Sequence, residues 1–144
     1  MLKTSTLFKN VPPFLNKLFS KEYPWEILPH ISGFINEFDA SGYDEIEEGI
    51  FIAEGVKIDK SASLCAPLII GKNTEIRIGA FIRGGVIVGE NCVIGNSTEL
   101  KNCIILDKAQ VPHYNYVGDS ILGFHAHMGA GAVCSNLKAD GKNV

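Results

Sequence analysis

Every sixth residue from Ile46 to Leu106 is Ile, Leu or Val: Ile46, Ile52, Ile58, Leu64, Ile70, Ile76, Ile82, Val88, Ile94, Leu100 and Leu106. If about a quarter of residues are of these types, chance gives such a run on the order of once in ten thousand sequences or less. A period of six matches neither the 3.6 of a helix nor, alone, the 2 of a strand. It predicts a coil of short strands and corners, the hexapeptide parallel β-helix. A smaller or apolar residue lies four after each leader, at Ile50, Val56, Ala62, Leu68, Thr74, Ala80, Val86, Cys92, Thr98 and Ile104. Two side chains per hexad then point inward, and the others face solvent or form corners. Gly71, Gly89 and Gly95 directly follow their leaders, where a corner favours a residue without Cβ.

In known hexapeptide solenoids three hexads close one triangular coil. Residues 18 apart then become neighbours, roughly 4.8 Å apart along the axis. After Leu106 the leaders run Val111, Val117, Leu122, Met128 and Cys134. The steps from 106 to 111 and from 117 to 122 are thus expected to be short by one residue, with His113 between them. Function is often housed where a consistent local rule breaks.

Residues 1–45 do not keep the beat. Pro12-Pro13 precede Phe14, Leu15, Leu18 and Phe19; Pro24 precedes Trp25 and Leu28; Pro29 precedes Ile31, Phe34, Ile35 and Phe38. These signals predict two or three short helices. The first coil of a solenoid has an open edge, so the helices are expected to cap it; a remnant of an interdomain linker is the rival reading. The expected division is a helical cap or linker remnant at 1–45 and a solenoid at 46–144.

At 144 residues there is room for one domain with a small appendage. The net charge of −3 provides no global attraction to nucleic acid or an anionic membrane, so an anion site must be built locally. The first ten residues lack the apolar region of a signal peptide, and no apolar run approaches membrane-spanning length, so a soluble cytoplasmic protein is expected. Cys65, Cys92, Cys103 and Cys134 show no C-x-x-C spacing and are expected as reduced thiols packed in the coil.

Arg83 and Lys101 each follow a leader and lie one coil apart, so two cations stack on one corner. Like charges on neighbouring strands are destabilising unless something anionic lies between them, and a phosphate would serve. Two splayed, solvated side chains are the alternative, and Glu99 offers partial neutralisation. His113 sits in V-P-H-Y-N-Y-V-G-D. Histidine titrates near neutral pH and can take a proton from an amine or hydroxyl nucleophile, although a lone His is more often structural. His125 and His127 in F-H-A-H-M could share a metal if they lie on one strand face, but a third ligand is hard to find and no metal is expected.

The run from Ala80 to Asn143 resembles the acetyltransferase half of the bifunctional uridyltransferase and glucosamine-1-phosphate acetyltransferase family, and related sugar-phosphate nucleotidyltransferases with a left-handed β-helix. The residues that carry the resemblance are A-F-I-R-G (80–84), N-S-T-E-L-K-N (96–102), H-Y-N-Y-V-G-D (113–119), M-G-A-G-A (128–132) and S-N-L-K-A-D-G-K-N (135–143). P-W-E-I-L (24–28) is similar to the segment before the solenoid in the nucleotidyltransferase relatives. The resemblance implies an all-β fold, a left-handed parallel β-helix with a short N-terminal helical cap. It implies that His113 is the general base for a glucosamine amine attacking the acetyl thioester. It makes Arg83 and Lys101 ligands of the sugar phosphate, Tyr116, Asn136 and Lys142 holders of the sugar and its phosphate, and Ala130 a main-chain contact of acetyl-CoA. It also implies a homotrimer with each site between subunits.

Three departures limit that carry-over. His127 stands where the family has an asparagine near the sugar. The Gly-rich nucleotide loop of the uridyltransferase half is absent. The sequence ends at Val144, where the family continues for more coils, so the chain is expected to lack part of the acetyl-CoA site. The leading expectation is a sugar-phosphate N-acetyltransferase that uses acetyl-CoA on an amino-sugar phosphate. The alternative is a catalytically silent trimeric solenoid that binds sugar phosphates or scaffolds a nucleotidyltransferase partner.

Overall fold

A computed structural model describes residues 2–142. Helices α1 (Thr4–Leu7), α2 (Asn16–Phe19) and α3 (Ile31–Asn36) alternate with 3-10 turns at Pro13–Leu15, Pro24–Glu26 and Leu28–His30. Each turn has a proline in its first two positions, where the missing N–H costs no hydrogen bond. The strands follow as β1 (Asp44–Glu47), β2 (Ile50–Ile52), β3 (Lys57–Ile58), β4 (Ser63–Leu64), β5 (Leu68–Ile70), β6 (Glu75–Ile76) and β7 (Phe81–Ile82). They continue as β8 (Val86–Val88), β9 (Val93–Asn96), β10 (Glu99–Ile105), β11 (Gln110–His113), β12 (Tyr116–Leu122) and β13 (Val133–Cys134). Among the described residues no helix is long and apolar enough to cross a membrane.

From β2 onward the pairing is parallel and the strands stack in three faces of a left-handed parallel β-helix. The first face carries β2, β5, β8 and the second halves of β10 and β12. The second carries β3, β6, β9 and β11. The third carries β4, β7, the first halves of β10 and β12, and β13. Most hexad residues fill the interior as their spacing predicts, from Ile50 and Ile52 through Val117 and Met128, but Ile58 is 37% exposed and Ile104 and Leu106 turn outward. Ile46 stands apart: β1 runs antiparallel to β2 and leaves Ile46 52% exposed. The edge strand β2 is therefore covered by a hairpin partner.

The helices pack elsewhere than expected. Leu15, Leu18, Ile27, Ile31 and Ile35 form a second core with Ile69, Ile87, Ile104 and Leu106, which point outward from the first face. The helical layer thus lies along the side of the solenoid rather than over its end. The reason is visible in the strands: L-I-I at 68–70, V-I-V at 86–88 and C-I-I-L at 103–106 are apolar on both faces, and a strand apolar on both sides needs a second layer. The second and third faces keep polar or half-exposed outer residues.

The short steps also shift. Ile70 pairs with Val88, 18 residues on, but Val88 pairs with Ile105 and Ile105 with Leu122, each 17 on. The first short step therefore runs from Leu100 to Ile105, and Leu106 is turned outward against the helices. Both short steps fall on the same corner, between the third and first faces. With one residue fewer there, β10 and β12 run unbroken through the bend. The shortening is a coil-length change and does not isolate His113 as irregular.

The glycines after the leaders serve closeness and not a left-handed corner. None of Gly71, Gly89 and Gly95 has positive φ. A Cβ on Gly71 would overlap Gly89, and one on Gly95 would overlap the Pro112 carbonyl of the next coil.

Of the thiols, Cys92 and Cys103 are buried in the coil, Cys134 is half-buried and Cys65 is exposed on a corner, so the packed-thiol expectation fails for Cys65. Burial pushes the Cys92 thiol up to about 12 and raises Cys103 likewise. The thiolate is the reactive form, so at pH 8 an alkylating reagent is expected to modify Cys65 readily and to spare Cys92 and Cys103 until the chain unfolds. Mass spectrometry after timed labelling checks this. The fold favours the neutral thiol, so Cys92's contribution to stability is complete below the ordinary thiol range and is lost as pH rises toward 12.

Candidate active site

The third face ends in a strip of charge. Leu100 pairs with Ile82, and the Arg83 N–H donates to the Leu100 carbonyl at 2.9 Å, so Arg83 stacks on Lys101 as the 18-residue count requires. The anion expected between them is supplied by the chain itself. Arg83 Nη1 lies 3.1 Å from Glu99 Oε1, and Lys101 Nζ lies 3.6 Å from Asp119 Oδ2. The stack alone therefore does not require a phosphate. Both cations nevertheless remain 43% exposed with donors to spare, and solvent-exposed pairs are worth only about 0–1 kcal/mol. A phosphate dianion can displace such carboxylates.

Tyr116 and Asn136 join this strip. Tyr116 pairs with Glu99 and Gly118 with Lys101; the Tyr116 ring lies over Gly118, where a Cβ would meet the phenol. Gly118 belongs to this strip and was not singled out in the sequence, though its place in Y-V-G-D was a usable signal. Asn102 Nδ2 donates to Asp119 Oδ1 at 2.7 Å, which steadies the carboxylate facing Lys101. Tyr116 and Val117 pair with Val133 and Cys134; Asn136 follows two residues after that pairing ends, and the same count would set it above Asp119. Lys142 is not brought in: it lies exposed in the terminal turn, its carbonyl accepting from the Lys138 N–H at 2.8 Å.

His113 occupies the other end of the third face, at its corner with the second. It closes β11, is exposed and pairs with Asn96 one coil below. Its Nδ1 is 3.3 Å from Asn96 Nδ2, and its backbone N–H donates to Asn115 Oδ1 at 2.9 Å. An amide can present either end to a ring nitrogen. With the Asn96 carbonyl turned to the ring, Nδ1 keeps its proton and Nε2 carries the free lone pair a base needs. Gln110 bridges to His127, and the Gly131 N–H donates to the His113 carbonyl at 3.0 Å, so Ala130 lies on the coil directly above His113. Ala130 is exposed between Gly129 and Gly131, where an added Cβ would meet nothing within 4 Å. The main chain there is open to a ligand.

His125 and His127 do not share a strand face. His125 is a corner residue with φ +58°, whereas His127 points out of the second face above Gln110. Among the described residues no three His, Cys, Asp or Glu side chains gather as a metal site.

The chain matches the GMPPB C-terminal domain family over residues 64–144. It is 34% identical over 128 residues to the bifunctional protein GlmU of Methanococcus maripaludis strain C5, covering 85% of this chain and 31% of that protein. It is 34% identical over 127 residues to the bifunctional protein GlmU of Methanocaldococcus jannaschii, covering 84% and 31%. The chain thus spans about a third of the length of these curated relatives. Among solved structures it is similar to a mutant form of perosamine N-acetyltransferase from Caulobacter crescentus in complex with CoA and GDP-perosamine. That likeness has 13% identity, a TM-score of 0.45, and coverage of 60% of this chain and 50% of that one.

Proposed function

Because the chain belongs to the GMPPB C-terminal domain family, we propose that its two corner sites are the parts of a sugar-phosphate N-acetyltransferase. The acetyl group passes from acetyl-CoA to the amine of an amino-sugar phosphate such as glucosamine 1-phosphate. The observation that carries this reading is the column Asn96, His113, Ala130 at one end of the third face. It sets a base candidate directly beneath an open main-chain turn. His113 takes the amine proton as nitrogen attacks the thioester carbonyl, the C–S bond breaks, and the thiolate of CoA leaves with a proton. Positioning both reactants removes most of the entropic barrier, so no covalent enzyme intermediate is needed.

Arg83, Lys101, Tyr116 and Asn136 hold the acceptor phosphate and sugar; Lys142, exposed in the terminal turn, is left out of this set. Their strip lies one strand arm from His113, roughly 10 Å or more at about 3.3 Å per residue. One amino-sugar phosphate is too short to touch both within a chain, so we place each site between neighbouring copies of a homotrimer. The covered first face leaves the second and third faces for that contact. The working compartment is the cytoplasm, where acetyl-CoA is available.

A free-thiol release assay with acetyl-CoA over a panel of amino-sugar phosphates tests the reading. Thiol release that depends on one acceptor supports it, and no release with any acceptor removes it. Arg83→Ala and Lys101→Ala are each expected to raise KM for the phosphorylated acceptor about tenfold or more, as loss of a charged hydrogen bond does. The same variants are expected to change little with the unphosphorylated amino sugar.

His127, exposed where the family has an asparagine, favours a second reading, a silent sugar-phosphate-binding trimer. Binding of the acceptor without thiol release identifies it.

A further inference from the structure

The small inward position of the third face is held by Ala62, Ala80, Thr98, Asn115 and Ala132 in successive coils. Asn115 is the largest and most polar of these, and it is buried, 3% exposed. A buried amide is costly unless its donors and acceptor are paired. Here they are. Oδ1 accepts the His113 N–H at 2.9 Å, and Nδ2 donates to the Gly129 carbonyl at 2.8 Å and the Ala132 carbonyl at 3.1 Å. One side chain therefore bonds the backbone of the base candidate on one side and both ends of the turn above it on the other. Thr98, one coil below, makes a lesser version: its hydroxyl donates to the Val111 carbonyl at 3.2 Å. A hydroxyl has one donor where an amide has two, so only asparagine can grip both ends of the Gly129–Ala132 turn while still accepting from His113. Besides Asn115 the turn is held by backbone bonds alone, from the Ala132 N–H to the Gly129 carbonyl at 3.1 Å, from the Gly131 N–H to the His113 carbonyl at 3.0 Å and from the Tyr116 N–H to the Ala132 carbonyl at 3.4 Å; Gly129 and Gly131 offer no side chains.

We propose that Asn115 is the positioning residue that holds His113 and the Gly129–Ala132 turn as one unit, setting the base against the reacting end of the thioester. Its kinetic part rests on the transferase reading given above; its mechanical part does not. Asn115 touches no reactant. It acts through the His113 backbone and through the main chain around Ala130.

The test has two arms on the full chain. In the first, amide hydrogen exchange is followed by NMR in wild type, Asn115→Thr and Asn115→Ala. The expected result is that exchange at His113 speeds up tenfold or more in Asn115→Ala, together with exchange at Gly131. Asn115→Thr is expected to fall between, and Leu68–Ile70 amides on the first face to stay within twofold. Equal acceleration everywhere, or none at His113, overturns the proposal whether or not the chain is active. In the second arm, steady-state kinetics of the same variants are expected to show kcat down tenfold or more and KM for acetyl-CoA up. KM for the amino-sugar phosphate is expected to hold within twofold, and Asn115→Thr to recover part of kcat. Unchanged kcat with a lowered Tm would leave Asn115 a packing residue only and also overturns it. An inactive wild type counts against the transferase reading and the kinetic part, while the exchange arm still decides the mechanical part.

Discussion

His113→Ala is expected to lower kcat for acetyl transfer by about 10² to 10⁴, the range for a positioned general base. The structure makes this a clean experiment. The ring is exposed at the end of β11, and its side-chain contact is the Asn96 amide at 3.3 Å, so truncation opens no cavity. The bonds that place residue 113 belong to its backbone, from N–H to Asn115 and from the carbonyl to Gly131, and they survive the substitution. Tm and oligomeric state should therefore match wild type, and KM for the phosphorylated acceptor should stay close, because Arg83 and Lys101 lie at the other end of the third face. Turnover in His113→Ala equal to an active wild type would remove His113 from the chemistry.

Gly95→Ala is expected to cost about 3 kcal/mol or more, at the upper end for overpacking. Gly95 is buried within β9, and the added Cβ would overlap the carbonyl and Cα of Pro112 in the next coil. Backbone cannot step aside as a flexible side chain can, and moving Pro112 drags Val111 out of the core and His113 out of its corner. At about 2–4 °C per kcal/mol for a domain of this size, Tm should fall by roughly 6–12 °C. Gly33→Ala is the matched control. In α3 a Cβ meets nothing within 4 Å, and replacing a helical glycine is expected to stabilise by up to about 1 kcal/mol. Thermal unfolding of both variants checks the pair, and a similar Tm for the two would refute the coil-contact explanation of the glycines.

Much of the candidate site could be read before folding was considered, because a solenoid converts sequence distance into spatial distance. Arg83 and Lys101 are neighbours by counting. The count then needed correction at one corner: a step of five between Leu100 and Ile105 turns each later coil into 17 residues. That change puts Ala130 over His113 and Cys134 over Val117. It was misplaced in the sequence because Ile104, Ile105 and Leu106 are all apolar, so hydropathy alone cannot say which of them points inward. The helical layer decides it by taking Ile104 and Leu106 and leaving Ile105 to the coil.

The carboxylate partners of the cations illustrate a different limit. Glu99 stands two residues before Lys101 and is visible as a neutraliser, yet it reaches back to Arg83 while Lys101 takes Asp119 from the coil above. Cross-coil diagonals follow side-chain reach and rotamer, which the repeat does not encode.

The sequence by itself determined the solenoid, most of its inward residues up to Leu100 and the corner on which the two cations stack, because each follows from local alternation and a fixed period. The tertiary structure alone decided that the helices clothe the first face and that one corner shortens. It also decided that a buried amide at Asn115 binds His113 to the turn above. These depend on which groups 14 to 18 residues apart, or in separate layers, meet and satisfy one another once the coil has closed. A buried hydrogen bond has its value from the partner it finds, and the partner is fixed only by the fold.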